Sequence, residues 1–178
     1  IYTGFWVQEV KQANFVCISV TDEDPTQSNE EKLATWTYTH NGFYWAGAYA
    51  CEDYVLVTTD DGAADYHTGY GSILSFNPKT GALLDEVRMS NVGDLRSSVC
   101  YDTETDAYYF TSNGGDFYQI RTNEDGTFVE NSLKRLHLKN GVDDYEAMST
   151  STPVVYKGRA YIGVAGMGQF KAYSGHNI

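Results

Sequence analysis

The stretch TDDGAADYHTGYG, residues 59–71, gathers Asp60, Asp61, Asp65 and His67 in one glycine-containing loop. Carboxylate oxygens held on such a loop can ligate calcium, so Asp60, Asp61 and Asp65 are the candidate metal ligands. The spacing lacks the alternating acidic pattern and later glutamate of an EF-hand loop. Asp60-Asp61-Gly62 also serves as a plain hairpin turn, and both readings stand. Among the four histidines, only His67 has chemically useful neighbours, Asp65 and Tyr66. No Ser-His-Asp arrangement and no G-x-S-x-G elbow occurs, so no residue is assigned a catalytic role. The acidic stretches around Asp22, Glu23 and Asp24 and around Asp143, Asp144 and Glu146 are weaker sites of the same kind.

Aromatic residues crowd the same region: Phe43, Tyr44, Trp45, Tyr49, Tyr66 and Tyr70. Tyr and Trp combine apolar area with a polar tip, which suits stacking on a sugar or gripping a peptide. Strand alternation puts Phe43, Trp45, Gly47 and Tyr49 on one face and Tyr44 on the other. That pattern assigns Trp45 and Tyr49 to packing between sheets and leaves Tyr44, Tyr66 and His67 as the candidate ligand contacts.

Holding such loops in place requires strands, and the composition supplies them. Fifteen Tyr, eight Phe and three Trp accompany many Thr and Val, residues that fit a pleated, half-buried surface. Seventeen glycines against three prolines place the turns mainly on Gly, Asn and Asp. The formal net charge of -12 disfavours nucleic acid and anionic membranes. The basic cluster Lys134, Arg135, His137 and Lys139 reads as a solvated strand face. Cys17, Cys51 and Cys100 each adjoin an apolar run. Their odd count argues against a closed disulfide framework, and they are expected as buried thiols. No apolar stretch reaches the length of a membrane span, and no membrane insertion is expected.

The strands recur. GAYACEDYVLVTTDDG (residues 47–62), SSVCYDTETDAYYFTSNGG (97–115) and STPVVYKGRAYIGVAGMG (151–168) can be superposed. Each has small residues, a short apolar run, a polar turn, a tyrosine-containing β-rich run and then glycine. The interval of roughly fifty residues is that of a repeat unit. Candidate strands fall at 5–10, 14–20 and 33–39. They continue at 44–50, 54–60, 72–77 and 82–89, then at 97–102, 107–113, 116–122 and 129–138. The last set is 150–156, 159–165 and 169–174. The counts are three, four, four and three. The acidic stretch 22–32 is either a solvated hairpin loop or a short helix capped by Ser28 and Glu31.

These units resemble the quinoprotein-like, or PQQ-like, β-propeller repeats. Ser75 to Gly81 (SFNPKTG) matches the centre of the signature ALDxxTGxxxW, and residues 118–126 match it loosely. Trp36 takes the tryptophan place of the first unit, whereas Asp85 stands in that place after Thr80-Gly81. The resemblance implies an all-β fold, a single partial propeller over residues 1–178 built of four-stranded antiparallel blades. The blades would span 1–40 (incomplete), 43–90, 96–138 and 149–178 (incomplete). A partial ring implies that the remainder of a longer chain, or a second copy, completes it. Some redox members of the family bind pyrroloquinoline quinone with adjacent cysteines, and no Cys-Cys pair or full quinone ligand set is present here. The expectation is therefore a non-catalytic binding or scaffold module of a secreted or cell-surface bacterial protein, with a glycan or peptide ligand. No cofactor is expected, calcium being the one metal the 59–71 loop could take. A quinone-dependent dehydrogenase is the alternative.

Overall fold

The computed structural model describes residues 1–5, 12–45, 47–63, 67–140, 149–164 and 170–173. These form β-strands without a helix. The first sheet comprises β1 (Tyr2–Gly4), β2 (Ala13–Ile18) and β3 (Ala34–His40) in that order. The second is a four-stranded meander of β4 (Tyr49–Ala50), β5 (Val55–Thr59), β6 (Tyr70–Phe76) and β7 (Leu83–Ser90). The third contains β8 (Cys100–Asp102), β9 (Ala107–Thr111), β10 (Asp116–Ile120) and β11 (Lys134–Asn140), and β12 (Val154–Tyr156) pairs with β13 (Arg159–Tyr161) as a separate hairpin. Every pairing is antiparallel.

Burial shows how the sheets are arranged. Strands β5, β9 and β10 are buried at every position, so both faces of the central sheets are covered. Val55, Val57, Leu74 and Phe76 pack with Phe43 against Phe15 and Trp36 of the first unit. Leu56 and Ile73, on the opposite face, pack against Phe110, Tyr118 and Ile120 of the third sheet. Tyr109 and Phe117 then turn to Val155, Ile162 and Val164. The sheets thus stack in chain order, and alternate residues of one strand serve two cores. This is why the central strands read as nearly unbroken apolar runs.

The repeat is visible atom by atom. Thr58 Oγ1 donates to the Ser97 carbonyl at 2.8 Å, and Thr111 Oγ1 donates to the Ser151 carbonyl at 3.0 Å. Within the third and fourth units, the Thr111 N–H donates to Ser97 Oγ at 2.8 Å and the Gly163 N–H to Ser151 Oγ at 3.1 Å. The turn after β6 is made by Asn77, whose Oδ1 accepts the N–H groups of Lys79 and Thr80, both at 3.0 Å. Gly81 closes it at a φ of 70°. Its bare Cα faces the Trp36 indole, and a Cβ there would lie 2.5 Å from Trp36 Cδ2. The indole Nε1–H donates to the Pro78 carbonyl at 2.9 Å.

Three expectations are corrected, and the choice left open at 22–32 falls to the loop. The first strand is Tyr2–Gly4, with Phe5 outside it, while residues 6–10 of the expected strand lie outside those described. Residues 22–32 contain no helix: Asp24 instead accepts from Thr26 and Gln27 side chains, and Lys32 pairs with Glu30 at 2.8 Å. The strand expected across 44–50 is reduced to Tyr49–Ala50. The last strand, β14 (Phe170–Tyr173), pairs with β11 and makes the third sheet five-stranded, leaving two strands in the fourth unit among the described residues. Both backbone groups of Gly163 are taken by Ser149 and Ser151 side chains, which ends the hairpin early. The open edge of β11 supplies the ladder that β14 completes.

Candidate functional site

Connectors between strands meet at one end of the stack and are joined by backbone hydrogen bonds. Asp60 N–H donates to Gly42 O at 3.1 Å, Val92 N–H to Gly69 O at 3.2 Å, Asn113 N–H to Asp94 O at 2.9 Å and Gly114 N–H to Val92 O at 2.9 Å. Gly114 has to be glycine for this approach, because a Cβ would collide with the Val92 carbonyl. Four separate connectors thereby become one surface on a rigid scaffold, the usual location of binding residues.

Asp60 and Asp94 are 2% and 1% exposed on this surface. Asp60 Oδ1 accepts from the Gly62 N–H at 2.8 Å, in room left by the missing side chain of Gly42. Asp94 Oδ2 receives the Arg96 guanidinium at 2.6 Å. Burial raises the pKa of both carboxyls, and Asp94 is pushed up to about 7. Burial is the main cause at Asp94, followed by the negative charge of Asp60, with Arg96 pulling the other way. Asp94 Oδ1 and both side-chain atoms of Asn113 are buried without a hydrogen-bond partner. Groups left in this state cost roughly 1–3 kcal/mol each, so they call for an explanation.

Beside the Arg96 guanidinium lies an aromatic pair. Tyr44 and Trp45 stack with ring centres 4.3 Å apart at 24°. The Arg96 guanidinium sits 4.5 Å from the Tyr44 ring centre and 5.4 Å from that of Trp45, within cation–π range. Trp45 is 67% exposed and adopts a φ of 62°. A left-handed backbone is rare for a bulky residue and breaks the strand alternation at this point. Trp45 therefore leaves the core to which the sequence pattern assigned it, while Phe43 stays buried.

Of the remaining candidates, Asp61 uses Oδ1 to accept from the Ala63 N–H at 2.8 Å and lies against Gly69. His67 is exposed and its Nδ1 faces the Asn113 carbonyl at 3.4 Å. Asp65 and Tyr66 lie outside the described residues. Among the described residues, no three His, Cys, Asp or Glu side chains converge as a cation cage. The thiols of Cys17, Cys51 and Cys100 are free and half-buried rather than buried. Cys17 lies on β2, Cys51 in the turn after β4 and Cys100 on β8, an arrangement that does not fit the adjacent-cysteine quinone sites of the redox propellers.

Sequence reasoning missed a second polar centre. Asp116, fully buried, accepts from His137 Nδ1 at 2.8 Å, Arg135 at 2.7 Å and the Tyr118 hydroxyl at 3.1 Å. Arg135 and His137 alternate on β11 opposite Tyr118 and Asp116 on β10. Part of the basic cluster expected to face solvent is instead spent on this carboxylate. The signal was the i, i+2 spacing of Arg135 and His137, which becomes legible only once the register is known. Searched against known proteins, the chain matches no family model and no curated protein.

Proposed function

We propose that this chain is a non-catalytic ligand-binding module of the quinoprotein-like β-propeller type, part of a ring carried by a secreted or cell-surface bacterial protein. Support for the fold comes from Trp36 laid on Gly81 with its Nε1–H on the Pro78 carbonyl, which links consecutive units through the residues that carry the resemblance. Support for binding comes from one observation: an exposed Trp45 ring stacked on half-buried Tyr44 and joined through Arg96 to a buried carboxylate. Such a combination of aromatic surface with a few fixed polar groups is typical of small-ligand sites. The remainder of a longer chain, or a second copy, covers the end faces of the stack.

The test is a combined glycan and peptide array probed with the labelled 178-residue chain and with Trp45→Ala. Trp45-dependent retention on a subset of spots is expected. Absence of any retained ligand, or retention that ignores the substitution, refutes binding through this surface.

A further inference from the structure

We propose that the last strand, β14, has two stations: the outer edge of β11, where the structure holds it, and the open edge of β13, where it completes the fourth unit. This goes beyond the binding reading above and does not depend on it.

The repeat defines the second station. In the second and third units, the second strand pairs on one side with the first strand and on the other with the third. Thus β5 lies between β4 and β6, and β9 between β8 and β10. Both β5 and β9 are buried at every position. Their counterpart β13 pairs with β12 alone among the described residues and is exposed at all three of its positions. One side of β13 therefore carries unpaired backbone groups, a template for an added strand. The equivalence extends past the end of the strand. Ser151 Oγ takes the Gly163 N–H as Ser97 Oγ takes the Thr111 N–H, and Thr111 still pairs with Phe117 of its third strand. The serine bond therefore does not bar a neighbour on that side.

The first station is the exceptional one. The strand β11 is outermost in its meander, the place that β7 holds in the second sheet and β3 in the first. Neither β3 nor β7 carries a further strand among the described residues. On β11, β14 is held by four residue pairs, and their register sets Lys171 directly opposite Lys139. Like charges directly opposite weaken a pairing. The connector to β14 is residues 162–169, between the lengths of the equivalent connectors 60–69 and 112–115. A third strand beside the second is therefore within its reach. When β14 moves, the fourth unit gains its third strand and β11 regains the open edge that β3 and β7 have. A strand offered two short ladders populates both, in proportion to their difference in free energy.

The test is disulfide trapping in the 178-residue chain, with bonds mapped by peptide mass so that Cys17, Cys51 and Cys100 stay in place. Lys139→Cys with Lys171→Cys reads the β11 station, since the two are directly opposite. Tyr161→Cys combined in turn with Phe170→Cys, Lys171→Cys or Ala172→Cys reads the β13 station. The three partners cover a shift of one residue in register and keep the test open should one variant fail to fold. Val154→Cys with the same three is the control. It is exposed like Tyr161 and directly opposite it on β12, but a further strand from the proposed station. In a glutathione redox buffer, intramolecular bonds are expected at both Lys139 and Tyr161. The best Tyr161 pair should form its bond at least about tenfold faster than any Val154 pair, because a disulfide bridges Cα atoms only up to about 7 Å apart. A bond at Lys139 alone shows a fixed strand and overturns the proposal, as does a bond at Tyr161 alone or no bond at either. Equal rates at Tyr161 and Val154 show a strand that merely detaches, and overturn it too.

Discussion

Asp94 couples the loop surface to pH. Burial pushes its carboxyl up to about 7, well above the ordinary aspartate range. The folded chain therefore binds this proton more tightly than the unfolded chain. Stability contributed by the proton is fully present below the unfolded value and is lost as pH rises through about 7. Asp60, raised by burial, acts in the same direction. His40, lowered by burial, acts in the opposite one, its stability falling as pH drops below the imidazole range. The difference between wild type and Asp94→Asn isolates the first effect, since asparagine still offers Arg96 an acceptor. Thermal melts followed by circular dichroism from pH 4.5 to pH 8 should show a falling melting temperature in the parent, relative to a flatter profile in the variant. Parallel profiles would contradict this account. At this scale the sequence was partly readable. It located Asp60 and Asp61 in a loop and singled out Tyr44. It did not reveal Asp94 or Asn113, which occupy connectors without a motif and acquire meaning only when backbone bonds bring the connectors together. It also misplaced Trp45, because period-two alternation fails where one residue turns left-handed.

Consecutive sheets are tied by two different devices at equivalent places. Between the first and second, the Trp36 indole covers Gly81. Between the second and third, the tryptophan place holds Asp85, whose Oδ2 accepts the Phe128 N–H at 2.8 Å, beside Gly126 at a φ of 83° packed on Tyr54 and Leu84. An apolar lid has been exchanged for a charge-assisted hydrogen bond. Gly81→Ala combines a strained backbone with a clash and should cost more than about 1 kcal/mol. Asp85→Ala should cost about 1–3 kcal/mol by leaving the Phe128 donor unmet. Urea titrations of both variants measure these losses, and an unchanged midpoint in either would show that the corresponding tie does not hold its sheets together. The repeat, the turn at Asn77 and the place of Asp85 were all legible as pattern. That a carboxylate would replace an indole was not, because it depends on which N–H lies opposite. The strand at Phe170–Tyr173 was likewise legible as a strand, but periodicity says nothing about which sheet edge it joins.

The stack leaves an apolar face at one end. Val154, Tyr156 and Tyr161 are 55–60% exposed, and the pairing of Val154 with Tyr161 puts them on one side of the hairpin, away from Val155. A clustered apolar surface of this kind seeks a cover. The proposed ring would provide it from further chain or from a second copy. In sedimentation velocity, the 178-residue chain should associate as concentration rises, and Tyr156→Lys combined with Tyr161→Lys should suppress that association. A parent chain that stays monomeric throughout would argue against the face as a contact.

The threonine-to-serine-carbonyl bonds, Thr58 to Ser97 and Thr111 to Ser151, also bear on ancestry. The second unit presents to the third the same donor that the third presents to the fourth. A gene segment of about fifty residues, duplicated in frame, would therefore supply a unit whose leading edge already fits its predecessor and whose trailing edge already fits its successor. Such a chain can lengthen or shorten by whole units without inventing a new contact. Outside these contacts, its connector loops would stay free to diverge.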